Sequence, residues 1–465
     1  MIRKPTILYF FLLALLLIGL SACETKTTQD KKLSQTRTNV DKYGIPSWAK
    51  NANIYEVNVR QFTPEGTFSA FAKHLPRLKK MGVDILWFMP IYPISETKRK
   101  GTLGSYYAVS DYKAVNPEFG TMQDFDALVK AIHNQGMYII LDWVPNHTGW
   151  DHPWVKEHPE WYTQDENGNI IDPTDPNTGE SWGWTDVADL NHDNMEMRAE
   201  MIKDKLFWIK ERNIDGFRED VAHNVPDSFW DAFTAACSDI NRDLFMLAEA
   251  EHPYHRNSGS FQMSYAWGAH HLLNQIAKGE KSVADLDAWA EADKKFKKGI
   301  SMHFTSNHDE NSWNGTVFER MGEAHLTLAA LAFSFDGMPL LYGGQEEPIR
   351  KRLEFFEKDD IGFKEYAYAD FYTRLLKLKH ENQALWNGDY GGKLKKLLDH
   401  PNVYVFEREK NGDRVVGVFN LSDKKQSITI PKKITGTDVM THQQVNWNEE
   451  TALGLESWQY YLISS

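Results

Sequence analysis

Short apolar runs recur along residues 53–342, and stretches with helical spacing separate most of them. That alternation limits the fold more than any other feature of the chain. Strands joined by helical crossovers pair in parallel. The spacing predicts strands over 53–59, 83–88, 137–141, 214–217, 244–247, 261–265, 300–304 and 339–342, a set of eight, the number that closes a (β/α)8 TIM barrel. Helices are expected over 68–81, 125–134, 194–212, 227–240, 283–294, 324–335 and 369–382. Between about 148 and 191 the alternation stops. Trp150, Trp154, Trp161, Trp182 and Trp184 lie there among turn residues, and a structureless loop of that length does not suit a compact domain, so an inserted subdomain after strand 3 is expected. Past Gly388 the period changes to two over 403–407, 414–420, 427–430 and 458–463, which predicts a C-terminal antiparallel β-sandwich over 388–465 beside a barrel over 48–387.

The first 23 residues stand apart. Arg3 and Lys4 precede an apolar run over 7–20, shorter than a bilayer span, and Leu20-Ser21-Ala22-Cys23 follows with the form of a bacterial lipoprotein cleavage box. On that reading Cys23 is lipidated, residues 24–47 form a polar tether, and the protein is held to a membrane of the cell envelope by acyl chains alone. Cys237 is the one other cysteine, so no disulfide framework exists. A net charge of −13 excludes a nucleic-acid partner, because phosphate binding needs basic patches. Sixteen tryptophans in a chain that is 13% aromatic provide rings able to stack on sugar faces.

Polar clusters end four of the expected strands. Asp142-Trp143-Val144-Pro145-Asn146-His147 follows the third, Gly216-Phe217-Arg218-Glu219-Asp220 ends the fourth, Ala248-Glu249 the fifth, and Thr305-Ser306-Asn307-His308-Asp309 the seventh. The C-terminal rim is where a parallel barrel keeps its chemistry. Arg218 and Asp220 share one side of an extended segment, so the guanidinium is expected to hold Asp220 ionised. Glu249 ends an apolar strand, where desolvation is expected to raise its pKa as a proton donor requires; Glu251 is the weaker candidate. Glu219 alternates away, toward the helix layer. Paired carboxylates, one nucleophilic and one acidic, are what retaining glycoside hydrolysis needs. His152, His158, His252, His255, His270 and His271 show no zinc-type spacing with a third ligand and read as surface or hydrogen-bonded residues.

These four clusters resemble the motifs of glycoside hydrolase family thirteen, the α-amylase family. The likeness extends to Gly104-Ser105-Tyr106-Tyr107 and to Val187-Ala188-Asp189-Leu190-Asn191, and it runs in order over residues 48–465. The resemblance implies Asp220 as nucleophile, Glu249 as acid/base and Asp309 as the third catalytic carboxylate. It also implies substrate contacts from Tyr107, His147, Arg218 and His308, with α-glucan or malto-oligosaccharide substrates. Asn146 and Asp189 match calcium-ligand positions of the family. His223 and Asn224 depart from the Lys-His that many members carry there, so the leaving-group side differs. A transglycosylase or isomerase of sucrose, trehalose or maltose, and a non-catalytic glycan-binding lipoprotein, stay open as alternatives.

Overall fold

The computed structural model describes residues 39–175, 178–240 and 243–465. Cys23, the apolar leader and the first part of the tether lie outside those residues. Eight parallel strands, β1 (Ile54–Val57), β2 (Ile85–Phe88), β3 (Tyr138–Trp143), β4 (Gly216–Glu219), β5 (Phe245–Ala248), β6 (Met263–Tyr265), β7 (Ile300–His303) and β8 (Met338–Tyr342), close into a barrel in chain order. Each matches an expected run. Alternate residues divide between two cores: Ile85, Trp87, Ile140, Phe245 and Leu247 fill the barrel axis, while Leu86, Phe88, Ile139, Leu141 and Met246 pack beneath the helices. Both strand faces are therefore dry, which is why these strands read as unbroken apolar runs.

The helical layer differs from expectation at residues 68–81 and 267–277, and the short helices Pro253–Ser258 and Val317–Met321 were not expected. Residues 68–81 form two helices, Phe68–Ala72 and Leu75–Met81, with Pro76 in the first turn of the second, where its missing N–H leaves no bond unmade. Helix Trp267–Ala277 was not expected. Its buried stripe Ala269, Leu273 and Ile276 includes His270, which disguises the apolar period; His270 is satisfied by Glu310 Oε2 at 3.0 Å and the Phe304 carbonyl at 3.2 Å.

The insertion is stemmed by an antiparallel pair, His147–Gly149 with Val187–Asp189. Trp154 and Trp161 pack edge to face inside it at 4.9 Å, so those two rings serve its own core. Beyond the barrel, six antiparallel strands form one sheet, and the pair Gln426–Thr429 and Ala452–Leu455 packs Ile428 and Leu455 against it. Strands Ile434–Asp438, Gln444–Trp447 and Ala452–Leu455 were not expected, because polar residues and Gly436 or Gly454 break their alternation. Arg408 leaves this sheet, buried, and donates to the carbonyls of Phe335, Gly392 and Trp386.

Candidate active site

Strand register assembles the site. Asp142 on β3 lies directly beside Arg218 on β4, and the Arg218 guanidinium is fully buried behind the barrel mouth. Its Nη1 donates to Asp142 Oδ1 at 2.9 Å and to Asp220 Oδ1 at 2.8 Å, while Nη2 lies 2.9 Å from Glu249 Oε1. One planar fork thus contacts both Asp220 and Glu249, and it brings together the pair of carboxyls that a retaining mechanism requires. The approach of β4 to β5 depends on Gly216: a Cβ there would stand 1.8 Å from the Phe245 carbonyl oxygen.

A second chain of contacts arrives from β1 and the loop after β7. His308 Nδ1 lies 2.6 Å from Glu56 Oε1, its Nε2 is 2.7 Å from the Tyr107 hydroxyl and 3.4 Å from Asp309 Oδ2, and Tyr107 also donates to Asp142 Oδ2 at 3.1 Å. Tyr107, His147, Asp220, Glu249, His308 and Asp309 all line one cavity of about 530 Å³, together with Trp184, Trp313, Phe355, Phe356 and Lys100. Six of the seven expected substrate-facing residues therefore share this space, and Arg218 sits behind them. Glu251 does not: its oxygens accept from Gly268 N–H at 2.6 Å and Trp289 Nε1 at 2.8 Å. Glu219 turns to the helix layer and pairs with buried Lys205.

The electrostatics correct one expectation. Arg218 does not hold Asp220 low, because burial outweighs it and the one guanidinium is shared with Asp142 and Glu249. Burial pushes Asp220 well up despite Arg218, with Glu249 and Asp142 adding repulsion. Burial also pushes Asp142 up to about 7 and raises Asp309 and Glu56. Burial alone would depress His308, but Asp309 and Glu56 overcome it and lift the imidazole to about 9, so it is a cation at neutral pH. Five acids thus face two cations in a dry cluster, which retains protons because it cannot hold every charge. Burial alone takes His147 down to about 3, leaving it a neutral hydrogen-bonding ring. Nor is Glu249 in a purely apolar pocket: besides Arg218, it accepts from the Val221 N–H at 2.8 Å through Oε2. Val221 adopts φ 45°, ψ 40°, a left-handed conformation costly for a β-branched residue, immediately after Asp220.

Glu56 was not among the expected site residues, although an acid inside an apolar strand was its visible signal. Trp184, Phe355 and Phe356 lie on irregular segments with no period to read, and Trp313 lies in a single π-helical turn, Glu310–Asn314, too short to show one.

Asn146 is buried next to His147, and Asp189 faces His147 across the insertion's stem. Burial pushes the Asp189 carboxyl up to about 6, Asp172 adds repulsion, and among the described residues no lysine or arginine pairs with it. A half-buried carboxylate without a cation and a nearby side-chain amide offer hard oxygen donors, and that chemistry fits calcium.

Comparison with known proteins agrees with this geometry. Residues 31–358 match the α-amylase catalytic domain, and residues 397–462 match the maltogenic amylase C-terminal domain. α-Amylase MalA of Haloarcula japonica is 27% identical over 419 residues, covering 86% of this chain and 59% of its own length. The α-1,4-glucan:maltose-1-phosphate maltosyltransferase of Corynebacterium pseudotuberculosis is 26% identical over 443 residues, covering 84% of this chain and 63% of its own. The crystal structure of the maltogenic α-amylase AmyB from Thermotoga neapolitana superposes with a TM-score of 0.80 at 27% identity, covering 90% of this chain and 99% of that one. A closed barrel with its carboxylates gathered at one mouth, matched along most of its length by the catalytic-domain profile, places the chain in the α-amylase family.

Proposed function

We propose that this protein cleaves α-glucosidic bonds of starch-derived malto-oligosaccharides by double displacement with retention. The observation that carries this reading is the Arg218 fork that joins Asp220 and Glu249 in a cavity shared with Asp309. Arg218 occupies Oδ1 of Asp220, which leaves Oδ2 to attack the anomeric carbon. As that C–O bond forms, the glycosidic C–O bond breaks and its electron pair leaves on the departing oxygen, which takes the proton of Glu249. Burial raises Asp220, so the step requires that the proton the cluster retains sit on Glu249 and leave Asp220 ionised; from that state Asp220 loses its negative charge as an ester while Glu249 gains one, and the net charge of the buried cluster is unchanged. In the second half Glu249 takes a proton from water, and the resulting oxygen nucleophile releases the sugar from Asp220. Asp309, His308 and His147 hold the sugar hydroxyls, and Tyr107 supplies the ring beneath it. Asn146 and Asp189 would hold calcium, whose charge would tie the insertion to the barrel through the stem.

Transfer to a sugar is a second reading. The exposed ring of Trp313, tilted against Phe355 at 5.1 Å, offers an acceptor sugar a seat at the cavity, and the likeness to a maltosyltransferase points the same way. Product analysis of purified protein with starch, maltotriose, pullulan, sucrose and trehalose, with the anomer first released followed by NMR, tests both. Inverted product, or no turnover of any glucan, would sink the proposal. Longer oligosaccharides formed from maltotriose would favour transfer.

We also infer a lipid anchor at Cys23, supported by the cleavage-box form of residues 20–23. A Cys23→Ala variant should fail to take up labelled fatty acid in cells; equal labelling would refute it.

A further inference from the structure

The loops that follow β4 and β5 carry a second constellation apart from the sugar cavity. Asp227 opens helix Asp227–Ala236, seven residues past Asp220; His252 precedes helix Pro253–Ser258, three residues past Glu249, and His255 lies within that helix. One ligand atom from each of Asp227, His252 and His255 lies within 4.8 Å of the other two. The third ligand that the histidine spacing lacked comes from the neighbouring loop, which is why one segment of sequence could not show it.

We propose that Asp227, His252 and His255 bind a transition-metal cation of the zinc type, and that the ion clamps the loop behind Asp220 to the loop behind Glu249. Two imidazoles and one carboxylate, with a fourth position left to water, are the donor set of an open tetrahedral zinc site. The spacing suits it. Bonds of about 2.0–2.1 Å from a tetrahedral centre put ligand atoms roughly 3.4 Å apart, and His255 Nε2 already lies 3.9 Å from Asp227 Oδ1. His252 is exposed and Asp227 has 47% of its side chain in solvent, so both can close that gap by rotation, whereas His255 is fixed in the wall by Phe261 and Trp230. His255 is 1% exposed, and its Nδ1 finds no hydrogen-bond partner. A nitrogen-rich set also separates this site from the oxygen donors Asn146 and Asp189, which suit calcium.

Tag-free protein, stripped with chelator and titrated with zinc by calorimetry in the presence of excess calcium, tests the assignment without any measure of glucan turnover. One zinc per chain is expected, and zinc should raise the unfolding temperature. His252→Ala and Asp227→Asn, both at solvent-facing positions, should each weaken zinc binding by at least about ten-fold and abolish that rise. Absence of saturable one-to-one binding in the unmodified protein, or affinity within two-fold of it in both variants, would overturn the site.

Discussion

The Val221 N–H donates a 2.8 Å hydrogen bond to Glu249 Oε2, so the residue that follows the proposed nucleophile grips the proposed acid. That bond exists because Val221 is bent into the left-handed region. Strain at this one residue ties the aim of one carboxyl to the position of the other.

Glu249→Gln keeps the shape and the Val221 contact while removing the transferable proton. It should lower kcat on malto-oligosaccharides by about 10²–10⁴-fold. On an aryl glucoside whose phenolate leaves unaided, the first step should be nearly restored, leaving slow release of the ester. Steady-state and burst kinetics with the two substrates check this; equal losses on both would remove Glu249 from the acid role.

His308 links stability to pH. Its folded-state value of about 9 lies above the ordinary 6.5, so the ion pairs with Glu56 and Asp309 contribute fully below pH 6.5 and are lost as pH rises through 9. The shift corresponds to about 3 kcal/mol. Asp142, raised to about 7, acts in the same direction, because its folded form binds the proton more tightly than the unfolded chain does. The gap in unfolding free energy between the unmodified protein and His308→Gln should therefore be largest near pH 6 and shrink by pH 10, which denaturant titrations at the two pH values measure.

Gly216→Ala inserts a methyl 1.8 Å from a backbone oxygen that no rotamer change can relieve. β4 must move off β5, at a cost of about 3 kcal/mol or more. Activity should fall beyond the loss expected from stability, since the displaced strand carries Arg218. Urea unfolding and kcat on the soluble fraction separate the two effects.

Calcium should stabilise the protein in a pH-dependent manner. The Asp189 carboxyl, raised to about 6, destabilises the fold as it ionises, and a bound cation offsets that cost. The calcium-induced rise in unfolding temperature should be larger at pH 8 than at pH 5 and absent in Asp189→Asn. Scanning calorimetry at both pH values decides it.

Sequence alone exposed what periodicity and strand ends encode. The eight barrel strands were legible because both faces of each are dry, and Asp142, Arg218, Asp220, Glu249 and Asp309 were legible because a barrel delivers its strand ends to one place. The proton state of Asp220 was not. It depends first on how deeply the folded barrel buries the carboxyl, and then on Arg218 being shared with Asp142 and Glu249 across three strands. Helix Trp267–Ala277 stayed hidden because His270 sits in its apolar stripe and is satisfied from afar by Glu310. Trp184 and Phe355 could not be read as cavity walls, since irregular backbone carries no period, and the π-helical turn that holds Trp313 is too short to show one.

Arg408 has a consequence for how the molecule comes apart. Its guanidinium occupies the carbonyls at the end of the helix before β8, so pulling the C-terminal sheet away would strand a charged group and several acceptors at once. Heat should therefore dismantle barrel and sheet in a single cooperative transition, and a chain cut at the junction should aggregate instead of behaving as a smaller enzyme.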